Sequence, residues 1–346
     1  MFSILGAPSF PFDFLIYGAM ILLLGLIVAT PRPAIFIFGF VAVALIYALF
    51  DQSRWQPWFY QYLFMLLAIG LFPANRRDDA RLHTCRLIVV SIYFWSGIQK
   101  INPGFIHETF GWMLDPMMRF LPVSVRNLAF APPVTESAIG IGLLIRKFRN
   151  MAVVMAVAMH VFILASIGPL GHNSNLVVWP WNLAMCSLVI LLFWQTPEAG
   201  IRDVLWGRKL GFHRPVLLLF GILPALSLVD LWDSYLSFAL YSGNQRMATI
   251  YMADSVADKM PGELQELIEV NDSKVDTLDV EEWSYSELNV PPYAEMRIYK
   301  NVGKRVCALA GNSPRMVMSV EGKRRWFRRR RMVLFTCASL AGVVER

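Results

Sequence analysis

The sequence predicts an all-α polytopic membrane domain of about eight transmembrane helices (residues 1–232) and a small C-terminal β-rich extramembrane domain (residues 233–346). Three observations carry this. Hydrophobic residues make up 56% of the chain and charged residues only 16%, more apolar surface than a soluble chain of this size can hide. Charge is uneven: residues 1–232 hold 16 Lys+Arg and 10 Asp+Glu, whereas residues 233–346 hold 16 and 15. Charge-poor runs, most of them near the roughly 20 residues that cross a bilayer, divide the longer part.

In order, these runs are Phe14–Pro31, Pro33–Phe50, Trp55–Asn75, a fourth from about Leu87 to Lys100, and a fifth over about Asn127–Ile145 that contains Glu136. Asn150–Pro197 has no acid or base and is long enough for a sixth and a seventh. The turn residues of Gly168-Pro-Leu-Gly-His-Asn-Ser-Asn175 would join them. An eighth covers about Pro215–Val229. Met1–Pro11 has no Lys or Arg, so the first run reads as a retained helix and not a cleavable signal. Asn102–Pro122, broken by Pro103, Gly104 and Pro116, reads as an interfacial or re-entrant segment.

Loop charge sets the expected orientation. Connections on one side carry Arg32, Arg76, Arg77, Arg81, Arg146, Lys147, Arg149, Arg202, Arg208, Lys209 and Arg214; those on the other carry Arg54, Arg119 and Arg126. The positive-inside bias puts the first set in the cytoplasm and the C-terminal domain outside, in an integral multi-pass protein.

Within the C-terminal domain Arg246–Met252 reads as a strand. Met316–Val320, a Glu321-Gly322 turn and Lys323 onward read as a hairpin, and Met332–Val344 as a core strand too short to span. Asp254–Glu287 holds eleven acids and two lysines and reads as solvated. Lys323–Arg331 has seven basic residues in nine. Anionic head groups or the acidic stretch are its expected partners, with no nucleic acid. Cys307 and Cys337 fit either a disulfide or two buried thiols. Four cysteines with no CxxC or Cys/His cluster exclude a zinc or iron–sulfur framework, so no metal is expected.

Ionisable residues inside apolar runs are costly, which makes Lys100, Glu136 and His160 the candidate catalytic residues. Gly97, Ser96 and Tyr93 precede Lys100 at i−3, i−4 and i−7, a small-and-polar stripe along which a flat ligand could reach the amine. A desolvated lysine is a usable base; the competing reading is a lysine snorkelling from a helix end. Glu136 could pair with Lys100 or His160, or serve only as a structural partner. His160 is equally a hydrogen-bonded core histidine. Trp179 and Asn182, in Trp179-Pro-Trp-Asn182, and His172, Asn173 and Asn175 are candidates to line the same cavity, or else serve a helix turn.

Ser91-Ile-Tyr-Phe-Trp-Ser-Gly-Ile-Gln-Lys-Ile-Asn-Pro-Gly-Phe105 resembles the lysine stretch of the vitamin K-dependent gamma-carboxylase-like and HTTM (horizontally transferred transmembrane) superfamily. Met159-His160, Gly168 and Trp179–Asn182 resemble a second stretch of that family, and Asp51-Gln-Ser-Arg-Trp55 a third. The resemblance implies a membrane lysine, here Lys100, that deprotonates a reduced quinone of the vitamin K hydroquinone type. Oxygen and CO2 would be co-substrates in carboxylase/epoxidase-type chemistry. Where the family's enzymes carry a further histidine this chain has Trp58, a candidate substrate contact. DoxX-like and MauE-like membrane proteins share a similar SGxxK signature. Two functions therefore stand: a membrane enzyme acting on a quinol or lipid-like substrate, and a non-catalytic membrane binding or assembly protein.

Overall fold

The structure is a computed structural model that describes residues 11–71, 80–196, 199–207, 211–270, 275–324, 326 and 330–342. Met1–Phe10, Arg76, Arg77, Arg208, Lys209, Arg325 and Phe327–Arg329, on which several expectations fell, lie outside the described residues.

The helices run α1 (Phe12–Ala29), α2 (Ala34–Leu49), α3 (Pro57–Leu71), α4 (Ala80–Lys100), α5 (Phe110–Leu114), α6 (Ala131–Leu144), α7 (Arg149–Ile167), α8 (Val178–Phe193), α9 (Ile201–Trp206) and α10 (His213–Val216). A π-helical stretch over Leu217–Ile222 and a 3-10 stretch over Leu223–Val229 continue α10. Then follow β1 (Met247–Ala253), α11 (Asp254–Ala257), α12 (Gly262–Gln265), β2 (Val275–Asp279), α13 (Val280–Leu288), α14 (Met296–Leu309), β3 (Met316–Glu321), β4 (Met332–Thr336) and α15 (Cys337–Ala341).

The structure overturns the expected count of eight spans. Among the described residues two helices, α1 and α7, are long and apolar enough to cross a membrane. The reason is length. Helices α2, α3 and α8 have 16, 15 and 16 residues. At 1.5 Å per residue they reach about 22–24 Å, short of the roughly 30 Å hydrocarbon core. Charge-free runs overstate helices because prolines and turns take up their ends: Pro57 opens α3, and Pro132 and Pro133 stand in the first turn of α6 after a 3-10 turn over Val123–Leu128. The fourth run errs the other way. Its helix begins at Ala80 and passes through Arg86, whose guanidinium is buried and donates to the Leu192 carbonyl at 2.7 Å. The turn over Gly168–Asn175 does fall between α7 and α8.

Contacts divide the chain into two units. The first comprises the described residues of Met1–Ile101, Asn127–Leu164 and Trp181–Leu240. Its core is Leu87, Ile88, Tyr93, Ile139, Ala156, Val189, Phe193 and Phe220, with α4 in the middle and α6 against it. Helix α1 buries none of its residues. Arg149 is held at the start of α7 by four carbonyls, those of Leu143 and Leu144 at the end of α6 and of Thr196 and Ala199 in the segment after α8.

The second unit comprises the described residues of Tyr241–Arg346 together with Asn102–Arg126 and Ala165–Pro180. Its sheet is antiparallel throughout, in the order β2-β1-β3-β4. Ala248, Ile250 and Met252 of β1 and Met316, Met318 and Val320 of β3 alternate into one core with Tyr299 and Val306 of α14. Gly303 lets α14 sit close, since a Cβ there would meet Met318 and Leu340 at 2.9 Å. A disulfide joins Cys307 of α14 to Cys337, with the Cα atoms 5.5 Å apart.

Two local expectations are corrected. The chain does not turn back at Glu321-Gly322; the strand that pairs with β3 starts at Met332. Met332–Val344 is not a core strand, because β4 is a short exposed edge followed by α15. The stretch expected as interfacial or re-entrant, Asn102–Pro122, carries a π-helical turn over Phe105–Thr109, then α5 and a 3-10 turn over Asp115–Met117. Phe105, Phe110 and Met113 are buried, and the Asn102 side chain donates to the Ser242 carbonyl at 2.7 Å.

Candidate active site

Two polar clusters form inside the first unit. In one, Lys100 Nζ at the end of α4 donates to Ser96 Oγ at 2.6 Å and lies 2.8 Å from Glu136 Oε2 on α6. Both side chains of the ion pair are about nine-tenths buried. In the other, the Tyr93 hydroxyl lies 2.6 Å from His160 Nε2 on α7, and His160 Nδ1 lies 2.7 Å from Asn182 Oδ1 on α8. Asn182 Oδ1 only accepts, so Nδ1 carries the proton, Nε2 accepts, and Tyr93 donates. All three residues are buried.

Glycine explains why Glu136 can reach Lys100. A Cβ on Gly97 would lie 2.2 Å from Ser137 Oγ and 2.6 Å from the Pro133 carbonyl; one on Gly140 would lie 2.8 Å from the Phe94 nitrogen. Only residues without a side chain let α4 and α6 approach this closely, the small-residue packing common between membrane helices. Ser137 Oγ donates to the Phe94 carbonyl at 3.3 Å across the same seam. Gly97 therefore faces α6, and Ser137 occupies the space beside it.

Asn182 belongs to the histidine cluster. Trp58 makes a tilted contact with Trp181, ring centroids 5.6 Å apart, and Trp181 donates to Gln61 at 2.8 Å. Trp179 lies in the second unit. Its indole nitrogen donates to the Ile167 and Ser174 carbonyls and closes the turn before α8. Asp51 accepts from the Ser53 amide at 2.9 Å, capping the short turn that leads to Trp55.

An apolar groove of about 220 Å³ is lined by Leu87, Val90, Phe94 and Trp95 of α4, by Gly140, Ile141 and Leu144 of α6, and by Leu217 and Gly221. At about 100° per residue these α4 positions face roughly away from Lys100, so the groove does not open onto the ammonium. Among the described residues no cluster of three or more His, Cys, Asp or Glu could hold a metal ion.

A third cluster, in the second unit, takes Asn175 and His172 away from the expected cavity and joins them to residues the sequence did not single out. Asn175 Nδ2 donates to the Tyr241 hydroxyl at 2.7 Å, and Tyr285 joins them. His172 stacks on Trp112 with ring centroids 4.1 Å apart. Beside the tyrosines, burial pushes the Glu281 carboxyl up to about 7, helped by the charges of Asp279 and Glu282. Burial also raises Tyr241 and Tyr285 well above the usual phenol range. No motif marks these residues, which come from three distant stretches; the turn residues around Asn175 were the one visible sign.

No family model, curated protein or solved structure matches the chain.

Proposed function

We propose that the helical unit is membrane-embedded, with at least α1 and α7 crossing, and that Lys100 and Glu136 form an acid–base couple. Its substrate would be the hydroxyl of a lipid-soluble ligand of the quinol type. The observation that carries this reading is the nearly buried 2.8 Å contact between Lys100 and Glu136. In a low-dielectric site the proton of such a pair can sit on either partner. Moving it to Glu136 leaves two neutral groups and frees the amine lone pair. The amine then takes the ligand proton: the ligand O–H bond breaks, a bond to Nζ forms, and the ligand anion is left beside an ammonium.

The membrane reading is supported by apolar residues left open on the first unit, such as Val28 (88% exposed) and Leu191 (76%). His160 stands eleven residues into α7, about 16 Å along it, where a polar group is retained only with partners, here Tyr93 and Asn182. The Cys307–Cys337 bridge supports an oxidising, extracytoplasmic location for the C-terminal unit. The likeness of the lysine stretch to the gamma-carboxylase superfamily supports a quinol. Trp58, in the place of that family's further histidine, supports proton abstraction without carboxylation.

The non-catalytic reading has its own observation: Ser137 fills the space over Gly97, so the pair could be a structural lock between α4 and α6. Quinol-dependent oxygen consumption separates the two, measured beside thermal stability in detergent for wild type, Lys100→Met and Lys100→Arg. A base predicts variants that stay folded, though less stable, and show no uptake, since guanidinium does not give up its proton. Uptake unchanged by Lys100→Met, or a wild type without uptake whose Lys100→Met variant unfolds, would remove the catalytic role.

A further inference from the structure

The exposed surface of the second unit has an unusual edge. Strand β4 pairs with β3 on one side only, and Met332, Val333 and Leu334 are 57%, 41% and 61% exposed. An apolar edge strand left open to water is a liability that proteins normally blunt or cover. Beside it runs α14, whose buried face holds Ile298, Tyr299, Val306 and Cys307. Its outward face carries Arg297, Lys300, Lys304 and Arg305, and the helix has no acid. Lys300 Nζ lies 5.1 Å from the centre of the Phe335 ring of β4, so the basic face and the apolar edge are continuous. Among the described residues no ion pair is made by Lys300, Lys304, Arg305 or Arg331.

We propose that this α14–β4 face docks on anionic phospholipid head groups, with Met332, Val333 and Leu334 entering the interface and the basic residues over the phosphates. The proposal rests on the reading that the chain is membrane-embedded. Charge complementarity selects the occupant. A second copy meeting edge to edge would set Arg331 and Lys300 against their own kind, whereas an anionic surface neutralises them and accepts apolar side chains between its head groups. Each basic residue strengthens attachment about five-fold, so neutralising two should weaken docking roughly 25-fold. Added salt should weaken it further as the Debye length shrinks.

The experiment uses the full chain in nanodiscs of phosphatidylcholine alone or mixed with phosphatidylglycerol. Cys85→Ala and Cys186→Ala leave the disulfide as the only native sulfur pair, and a bimane probe is placed at Leu334→Cys or, as a control for embedding, at Val154→Cys. Head-group nitroxide lipid should quench the Leu334→Cys probe in the anionic discs. Quenching should fall sharply in phosphatidylcholine and after Lys300→Gln with Lys304→Gln. Quenching by acyl-chain nitroxide at Val154→Cys with none at Leu334→Cys overturns the docking proposal and leaves the membrane reading intact. No quenching at Val154→Cys overturns the membrane reading itself. Equal quenching with and without anionic lipid refutes the electrostatic basis, and a Leu334→Cys disulfide between copies assigns the edge to self-association instead.

Discussion

Replacing Glu281 with Gln should stabilise the second unit at neutral and higher pH and leave it unchanged in acid. Glu281 stands in the first turn of α13, where the helix dipole would favour a carboxylate, and its own amide is capped by Asp279 Oδ1 at 2.7 Å. Burial and the Asp279 and Glu282 charges outweigh that, raising the carboxyl from 4.5 to about 7. The sign follows from proton counting. Between 4.5 and about 7 the folded unit keeps a proton that the unfolded chain has released, so stability falls as pH rises through this window. Below 4.5 the contribution is fully present, and above about 7 it is gone. The full shift corresponds to about 3.4 kcal/mol at about 1.36 kcal/mol per unit. Glu281 keeps partial contact with water, which reduces this to roughly 1–3 kcal/mol. Gln cannot ionise, so it retains the neutral form's advantage. Amide hydrogen exchange over Val280–Leu288, corrected for intrinsic rates from about pH 4.5 to 8, reads the difference. Wild type and Glu281→Gln should coincide at the acid end and diverge above it, while Glu282→Gln, which removes one of the charges that raise Glu281, should fall between the two. Coincident Glu281→Gln and wild-type profiles at about pH 8 would refute the reasoning.

Other perturbations test the remaining contacts. Gly97→Val should force α4 from α6 and cost on the order of 2–4 kcal/mol in detergent thermal unfolding, since the Cβ alone meets Ser137 at 2.2 Å. Lys100→Met alone should be destabilising because it strands Glu136. The double variant Lys100→Met/Glu136→Gln should recover much of the roughly 3–5 kcal/mol lost, a coupling that a double-mutant cycle measures. Arg149→Met should destabilise the first unit by several kcal/mol, because four carbonyls lose their donor at once; protease sensitivity near Thr196 is the readout. Replacing Cys307 and Cys337 with Ser opens a loop with a sequence separation of 30 and should cost roughly 3–4 kcal/mol, seen as a lower melting temperature of the second unit.

How far the sequence could be read depended on whether a signal was local. The break at Gly168–Asn175 showed because turn residues interrupt an apolar run, and it falls between α7 and α8. The strand read over Arg246–Met252 matches β1, Met247–Ala253, whose burial alternates along the chain. Span boundaries failed where a charge was taken as an edge. Arg86 is inside α4 because the Leu192 carbonyl accepts from its guanidinium, and no local pattern announces a carbonyl from a different helix. The edge position of β4 was hidden for the same reason: strand order is set by pairings between distant residues.

The candidate site shows how one stripe of residues can be divided by tertiary packing. Tyr93, Ser96, Gly97 and Lys100 share a helical face, and spacing alone suggested one polar track toward one ligand. Gly97 meets α6 and brings Glu136 to Lys100, whereas Tyr93, two turns away, is taken by His160 and Asn182. The face is thus a junction of two neighbours, and each supplies its own partner. Spacing along one helix can state which side chains look the same way; it cannot state which helix they will meet. The choice was made by glycine. Gly97 and Gly140 permit contact with α6 at backbone range, and that contact carries the carboxylate to the lysine. A side chain at either glycine would separate the helices and leave Lys100 an unpaired charge among apolar neighbours, with or without a ligand to act on.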